Sequence, residues 1–230
     1  MEESRVFTGC FWMKRFDTVI FDLDGTLLDT LGDLRTAADH ALGGNGGSVS
    51  EEQVRLCINN GVLQLLKNLM ELTDRRCDPN EALCRFKEKY AKCFLDKTAA
   101  YDGIPELLLK LRSDGYKVGV FSNKLDSFVQ RLCAEKLPSG TITAARGEVD
   151  GVPRKPSPDG AFLLMKQLGV EDVSRVIYVG DSDTDVATAK NAGFYCAAVS
   201  WGYRGREFLL KADIIADSAQ ELYRIISGEV

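Results

Sequence analysis

Residues 19–30 read VIFDLDGTLLDT. Val19, Ile20 and Phe21 are apolar without alternation, the pattern of a strand covered on both faces. Asp22 and Asp24 follow at once, with only Leu23 between them. Burying an unpaired carboxylate is costly. Two acids at the end of a core strand therefore need a chemical reason.

Further short runs share this apolar character: KVGVFSN (117–123), RVIYVGD (175–181) and CAAVSW (196–201). ADIIA (212–216) is a weaker candidate, and TITAA (141–145) reads as an edge element. Helical patterns separate these runs. IPELLLKLRSDG (104–115) has Pro near its start and Gly at its end. SPDGAFLLMKQLG (157–169) and TDVATAKNAG (184–193) also stop at Gly. Strands alternating with helices predict an α/β fold, a doubly wound Rossmann-like parallel sheet.

One connection is too long. About 90 residues separate Asp24 from Lys117, whereas loops in such folds usually take about 2–6 residues. The excess reads as helices over 29–42, 50–72 and 79–97. Ser50 followed by Gln53 has the spacing of a capping box, and GGNGG (43–47) is a turn. The expected organisation is a core formed by 1–29 and 100–230, with a small helical cap domain inserted over 30–99.

Composition narrows the function. The 230 residues carry 29 Lys+Arg against 34 Asp+Glu, a formal net charge of −5. No basic excess points to nucleic acid or an anionic membrane. No apolar run approaches the roughly 20 residues of a membrane span. The stretch MEESRVFTGCFWMKR does not read as a signal peptide. Seven cysteines, none in a C-x-x-C pair, suggest free thiols in a reducing compartment, so a cytoplasmic location is expected. His40 is the only histidine and has no obvious nucleophile beside it, which argues against a serine or cysteine triad.

Ligands of open parallel sheets bind beyond the carboxyl ends of the strands. Those ends carry Asp22 and Asp24, then Ser122, Asn123 and Lys124, then GDSDTD from Gly180 to Asp185. PRKPSP adds Arg154 and Lys155 just before a helix. Acids, a hydroxyl and a lysine at one edge suit phosphoryl transfer aided by Mg²⁺. One carboxylate can attack phosphorus, and a second can move a proton. Hydrolysing a phosphate monoester can require an acceleration of up to about 10²¹, some 28 kcal/mol. General acid–base catalysis supplies about 10²–10⁴, so several groups must act together.

The set DLDGTLLDT, SNK, RKP and GDSDTD resembles the four motifs of the haloacid dehalogenase superfamily, over nearly the whole chain from Phe16 to about Tyr223. Their order resembles the subgroup with a helical cap between the first two motifs. The resemblance implies Asp22 as nucleophile and Asp24 as acid/base. It implies Ser122 and the Asn123 backbone as phosphate holders and Lys155 as charge clamp. It implies a Mg²⁺ site of Asp22, the Asp24 carbonyl oxygen and Asp181, with Asp185 steadying it. The acid at Asp24 favours a phosphatase over a dehalogenase, whose halide leaving group needs no proton. Lys124 and Arg154 read as surface charges, Asp183 as either a solvated or a working acid, and Asp29 as a cap or turn residue.

VRLCINNGVLQLL (54–66), AYDGIPELL (100–108) and VSWGYR (199–204) look most like bacterial phosphoglycolate phosphatases. The expected substrate is therefore a small phosphorylated metabolite, 2-phosphoglycolate first, with the protein a monomer or homodimer. Pyrophosphate hydrolysis and β-phosphoglucomutase-like isomerisation are alternatives in the same superfamily. Asn59-Asn60-Gly61 and Arg55 are cap positions that could meet substrate, although an ordinary turn and a helix-face arginine explain them as well. The GGNGG turn and segment 137–152 depart from the family pattern. A phospho-accepting receiver domain uses a similar acid set, but usually lacks both a cap and the late GDSDTD cluster.

Overall fold

The computed structural model describes residues 14–43, 49–58 and 61–229. The start of the chain with Cys10, most of the GGNGG turn, and Asn59-Asn60 lie outside the described residues. Strand β1 (Thr18–Phe21) is followed by β2 (Leu28–Asp29) and helices α1 (Leu31–Ala41), α2 (Glu51–Cys57), α3 (Val62–Leu72) and α4 (Pro79–Cys93). Then come β3 (Ala99–Ala100), α5 (Ile104–Ser113), β4 (Lys117–Leu125), α6 (Asp126–Lys136) and β5 (Ala144–Glu148). The chain finishes with α7 (Asp159–Leu168), β6 (Val176–Gly180), α8 (Asp183–Ala192), β7 (Tyr195–Val199), β8 (Ile214–Ala216) and α9 (Ala219–Ser227).

Six strands form one parallel sheet in the order β5-β4-β1-β6-β7-β8. The central strands β1 and β6 are buried along their whole length, as their unalternating sequence requires. Successive residues face opposite sides. Val19 and Phe21 join the core that holds Leu108, Leu111, Leu222 and Ile226 of α5 and α9. Ile20 joins the core on the other face, with Leu164 of α7 and Ala189 of α8. Gly169 and Gly193 end α7 and α8 in the left-handed conformation, the stop signal their sequence carries.

The helices α1–α4 leave and rejoin the sheet through the antiparallel pair β2–β3. Leu34, Leu66, Leu69 and Phe86 pack together there in a core continuous with that of the sheet. Ser50 and Gln53 form the expected capping box. At the α4 start, Asp78 accepts from the Asn80 and Glu81 amides.

The structure corrects some boundaries. The helix expected over 50–72 is two helices, α2 and α3, with Gly61 at φ +88° before the second. The pattern over 79–97 ends at Cys93. The edge strand begins three residues later than TITAA suggested: at Thr143 the amide donates to the Val118 carbonyl at 2.8 Å, but the Val118 amide is answered by the Thr143 hydroxyl at 3.3 Å instead of by a backbone carbonyl. Helices α6 and α9 were missing from the sequence reading. Leu125 precedes α6 without a side-chain cap bond, so no capping side chain marks its start, only the acid Asp126 in the first turn. Among the described residues no helix is long and apolar enough to cross a membrane, and the six described cysteines are free thiols.

Candidate active site

The acids stand where β1 and β6 end. Backbone pairing carries Asp22 up to β6, its amide bonding to the Val179 carbonyl at 2.8 Å. The chain then turns sharply, and the Leu23 carbonyl accepts from the Leu27 and Leu28 amides at 3.0 and 2.9 Å. Gly25 allows this turn with φ +85°. A Cβ there would lie 2.4 Å from an Asp181 oxygen, so even alanine would collide with the site.

Asp22, Asp181 and Asp185 place carboxylate oxygens within 4.8 Å of one another, all buried. The Lys155 ammonium joins them, donating to Asp22 Oδ1 and Asp185 Oδ1, both at 2.7 Å. Asn123 fixes Lys155 by its backbone. Its Oδ1 accepts from the Lys155 amide at 2.8 Å, and its Nδ2 donates to the Lys155 carbonyl at 3.2 Å. Asp185 lies in the first turn of α8 and shares a capping box with Ser182. The buried Tyr178 hydroxyl donates to it from below at 3.2 Å. Ser122 is buried at the end of β4, within the same cleft.

Burial, then repulsion from Asp185, pushes the Asp22 carboxyl up to about 7, against the pull of Lys155. Burial and the same two neighbouring acids raise Asp181 well above the carboxylate range. Burial opposes the charge on Lys155, yet Asp185 and Asp22 outweigh it and raise the group. The cluster gathers three carboxylates around one ammonium, so ionising all three would leave negative charge that a bound cation would balance. All-oxygen donors of this kind suit a hard divalent cation such as Mg²⁺, and the donor set fits one.

Asp24 stands apart. Its Oδ1 accepts from Lys124 Nζ at 2.8 Å and from the Thr30 hydroxyl at 2.5 Å. The carboxylate is thus outside the acidic cluster, so a metal role for Asp24 would fall to its backbone carbonyl. Lys124 corrects the sequence reading. It is not a surface charge: its side chain is 9% exposed and forms an ion pair with Asp24. Burial works against that charge, but Asp24 more than offsets it and raises the group. Arg154 is half-exposed and paired with Glu148, and Asp183 is exposed. Asp29 accepts from the Leu31 amide at 3.0 Å, a turn role. Arg55 donates to the Gly202 carbonyl at 3.3 Å and does not line the cleft. His40 is exposed on α1 and also lies outside it.

Tyr203 was missed as a site residue. Its amide donates to Asp181 Oδ2 at 2.7 Å, and its hydroxyl accepts from the Thr30 amide at 2.8 Å. It therefore ties the acidic cluster to the residue that holds Asp24. Its only sequence signal was membership of VSWGYR. The cleft above these groups measures about 550 Å³. Leu34, Leu65, Leu83 and Phe86 of the helical layer form its apolar wall.

Residues 19–199 match the family model described as haloacid dehalogenase-like hydrolase. A phosphoglycolate phosphatase of Pseudomonas syringae pv. tomato is 33% identical over 190 residues, covering 80% of this chain and 70% of that protein. An N-acetylmuramic acid 6-phosphate phosphatase of Pseudomonas aeruginosa is 32% identical over 221 residues, covering 92% of this chain and 95% of the relative. The crystal structure of a candidate phosphoglycolate phosphatase from Lactobacillus delbrueckii subsp. bulgaricus superposes with a TM-score of 0.82 at 34% identity, covering 94% of this chain and all of that one. The match across the strand-end motifs and the shared architecture lead to one conclusion: this chain belongs to the haloacid dehalogenase-like hydrolase family.

Proposed function

We propose that this phosphoric monoester hydrolase removes phosphate from 2-phosphoglycolate through an aspartyl-phosphate on Asp22, with Mg²⁺ as cofactor. The observation that carries the mechanism is the separation of two acids at one strand end. Asp22 lies in the buried cluster beside Lys155, while Asp24 is held on Lys124 and Thr30. Relatives named phosphoglycolate phosphatase support the substrate.

Asp22, Asp181 and Asp185, with the Asp24 carbonyl, would hold the cation, which would offset charge between carboxylate and phosphate. Lys155 holds Asp22 Oδ1 and fixes the carboxylate for in-line attack on phosphorus. The phosphorus–ester oxygen bond breaks, and the departing alcohol oxygen takes a proton from Asp24. Asp24, now ionised, takes a proton from water as that water attacks the phosphorus of the aspartyl-phosphate. This frees inorganic phosphate and regenerates Asp22. Ser122 and the backbone at Asn123 hold the phosphoryl oxygens. Residues 30–99 act as a cap that closes over the core formed by 1–29 and 100–230, excluding water. The free thiols fit a reducing, cytoplasmic setting.

A second substrate has support of its own. The roomy cleft with its apolar wall suits a sugar as large as N-acetylmuramic acid 6-phosphate, the substrate in the name of the Pseudomonas aeruginosa relative. The test is phosphate release with Mg²⁺ from 2-phosphoglycolate, N-acetylmuramic acid 6-phosphate, pyrophosphate and hexose phosphates. The highest kcat/KM is expected for 2-phosphoglycolate. A higher value for any sugar phosphate, or isomerisation of one, overturns the assignment.

A further inference from the structure

Lys124 lies at the end of β4 and Tyr90 on α4, and both line the cleft beside Asp24. The Lys124 ammonium has three donors. The Asp24 carboxylate takes one at 2.8 Å. This ammonium stands 5.0 Å from the centroid of the Tyr90 ring, and the Tyr90 hydroxyl, closed off from solvent, has no hydrogen-bond partner among the described residues. A buried hydroxyl left without a partner is costly, so this one is poised to take an acceptor. The Tyr90 ring is fixed by Phe86 at 5.4 Å and Phe128 at 5.1 Å between centroids. Phe86 and Phe128 also line the cleft and offer an anion nothing but apolar surface.

We infer that Lys124 and Tyr90 form the subsite for a second anionic group of the substrate, a carboxylate carried close to the ester oxygen. The inference deepens the proposed function and rests on Asp24 meeting the leaving oxygen. A carboxylate one methylene from that oxygen must lie beside whatever holds Asp24, and that is Lys124. The cleft also holds Arg154, Arg204 and Lys87, but Arg154 is half-exposed and already paired with Glu148, Arg204 is paired with Asp183, and Lys87 is exposed on α4. Lys124 donates its remaining N–H groups to the carboxylate, and the Tyr90 O–H finds the acceptor it lacks. The core thus supplies the charge and the helical layer the neutral donor, so the subsite is complete only with α4 in place. Unrelated phosphate esters without the second anion leave both donors unanswered.

The test uses two non-hydrolysable phosphonates of equal chain length. One is 3-phosphonopropionate, which carries a carboxylate, and the other is propylphosphonate, which does not. Each is titrated by calorimetry into the Mg²⁺-loaded protein. The wild type is expected to bind the carboxylated compound about 10- to 100-fold more tightly, the range of a charge-assisted bond. Lys124→Met should bring the ratio close to one, and Lys124→Arg should restore part of it. Tyr90→Phe keeps the ring packing and should reduce the ratio several-fold, giving a reading should Lys124→Met not fold. The ratio cancels any general weakening of phosphonate binding. Equal binding of both compounds by the wild type, or a ratio that survives Lys124→Met and Tyr90→Phe, overturns the subsite and leaves the phosphatase assignment standing. A wild-type preference for the carboxylated phosphonate without a preference for 2-phosphoglycolate among substrates keeps the subsite and removes only that substrate.

Discussion

The carboxyl edge of the sheet and the helical layer above it enclose one cleft with opposite chemistry. At the edge, charged groups are bound to one another, Lys155 to Asp22 and Asp185 and Lys124 to Asp24, and the Tyr203 amide donates to Asp181. The layer presents mainly Leu34, Leu65, Leu83 and Phe86, with Gln64 and Lys87 beside them. Paired charges in a buried setting are rigid, since moving one strands another at a cost of about 3–5 kcal/mol. Apolar contacts are non-directional and tolerate exchange. On the proposed function, this contrast assigns the reaction to the edge and the choice of what reaches it to the layer.

The largest effect should come from the edge. Asp22→Asn is expected to lower kcat by about 10⁴-fold or more, while thermal unfolding shows an intact fold. Near wild-type turnover would move the nucleophile elsewhere and break the division. Removal of divalent cations with EDTA should likewise stop phosphate release, and added Mg²⁺ should restore it. Full activity in chelator would remove the metal role of the Asp22, Asp181 and Asp185 cluster.

Next comes the proton. Asp24→Ala should slow hydrolysis of alkyl phosphates by about 10²–10⁴ and that of an activated aryl phosphate far less. Equal losses for both leaving groups would show that Asp24 only positions the site.

Phe86→Ala probes the layer. Phe86 is buried against Tyr90, and its loss should cost about 3–5 kcal/mol of stability. Below the unfolding temperature KM should rise more than kcat falls, and the relative rates of different substrates should change. A pure kcat effect with unchanged substrate preference would mean that the layer, too, acts on the chemistry.

The smallest expected change belongs to Ser182→Ala. It removes the α8 cap and the hydroxyl bond to Asp185, lowering stability by about 1 kcal/mol with a modest loss of activity. A loss as large as that of Asp22→Asn would show that Asp185 depends on Ser182 for its place in the cluster.

Legibility followed range along the chain. Apolar runs, glycine stops and the Ser50–Gln53 capping box are local signals, and the strands and most helices appeared where those signals stood. Helix α6 escaped because Leu125 gives it no capping side chain. The α2–α3 break escaped because periodicity runs on through residues 58–61 while Gly61 turns the backbone.

The sequence by itself determined that acids and a hydroxyl stand at the carboxyl ends of parallel strands and a lysine just before a helix, because each is near in the chain to the apolar run or helix that places it. Only the tertiary structure decided who partners whom. Lys124 meets Asp24 across 100 residues, Lys155 meets Asp22 across 133, and Tyr203 meets Thr30 across 173. Lys124 resembled a surface charge because the burial of a long cationic side chain depends on what packs over it. Tyr90 gave no sign of standing near Asp24 for the same reason: the order of strands in the sheet and the return of the α1–α4 layer above it bring those residues together, and no local pattern encodes that distance.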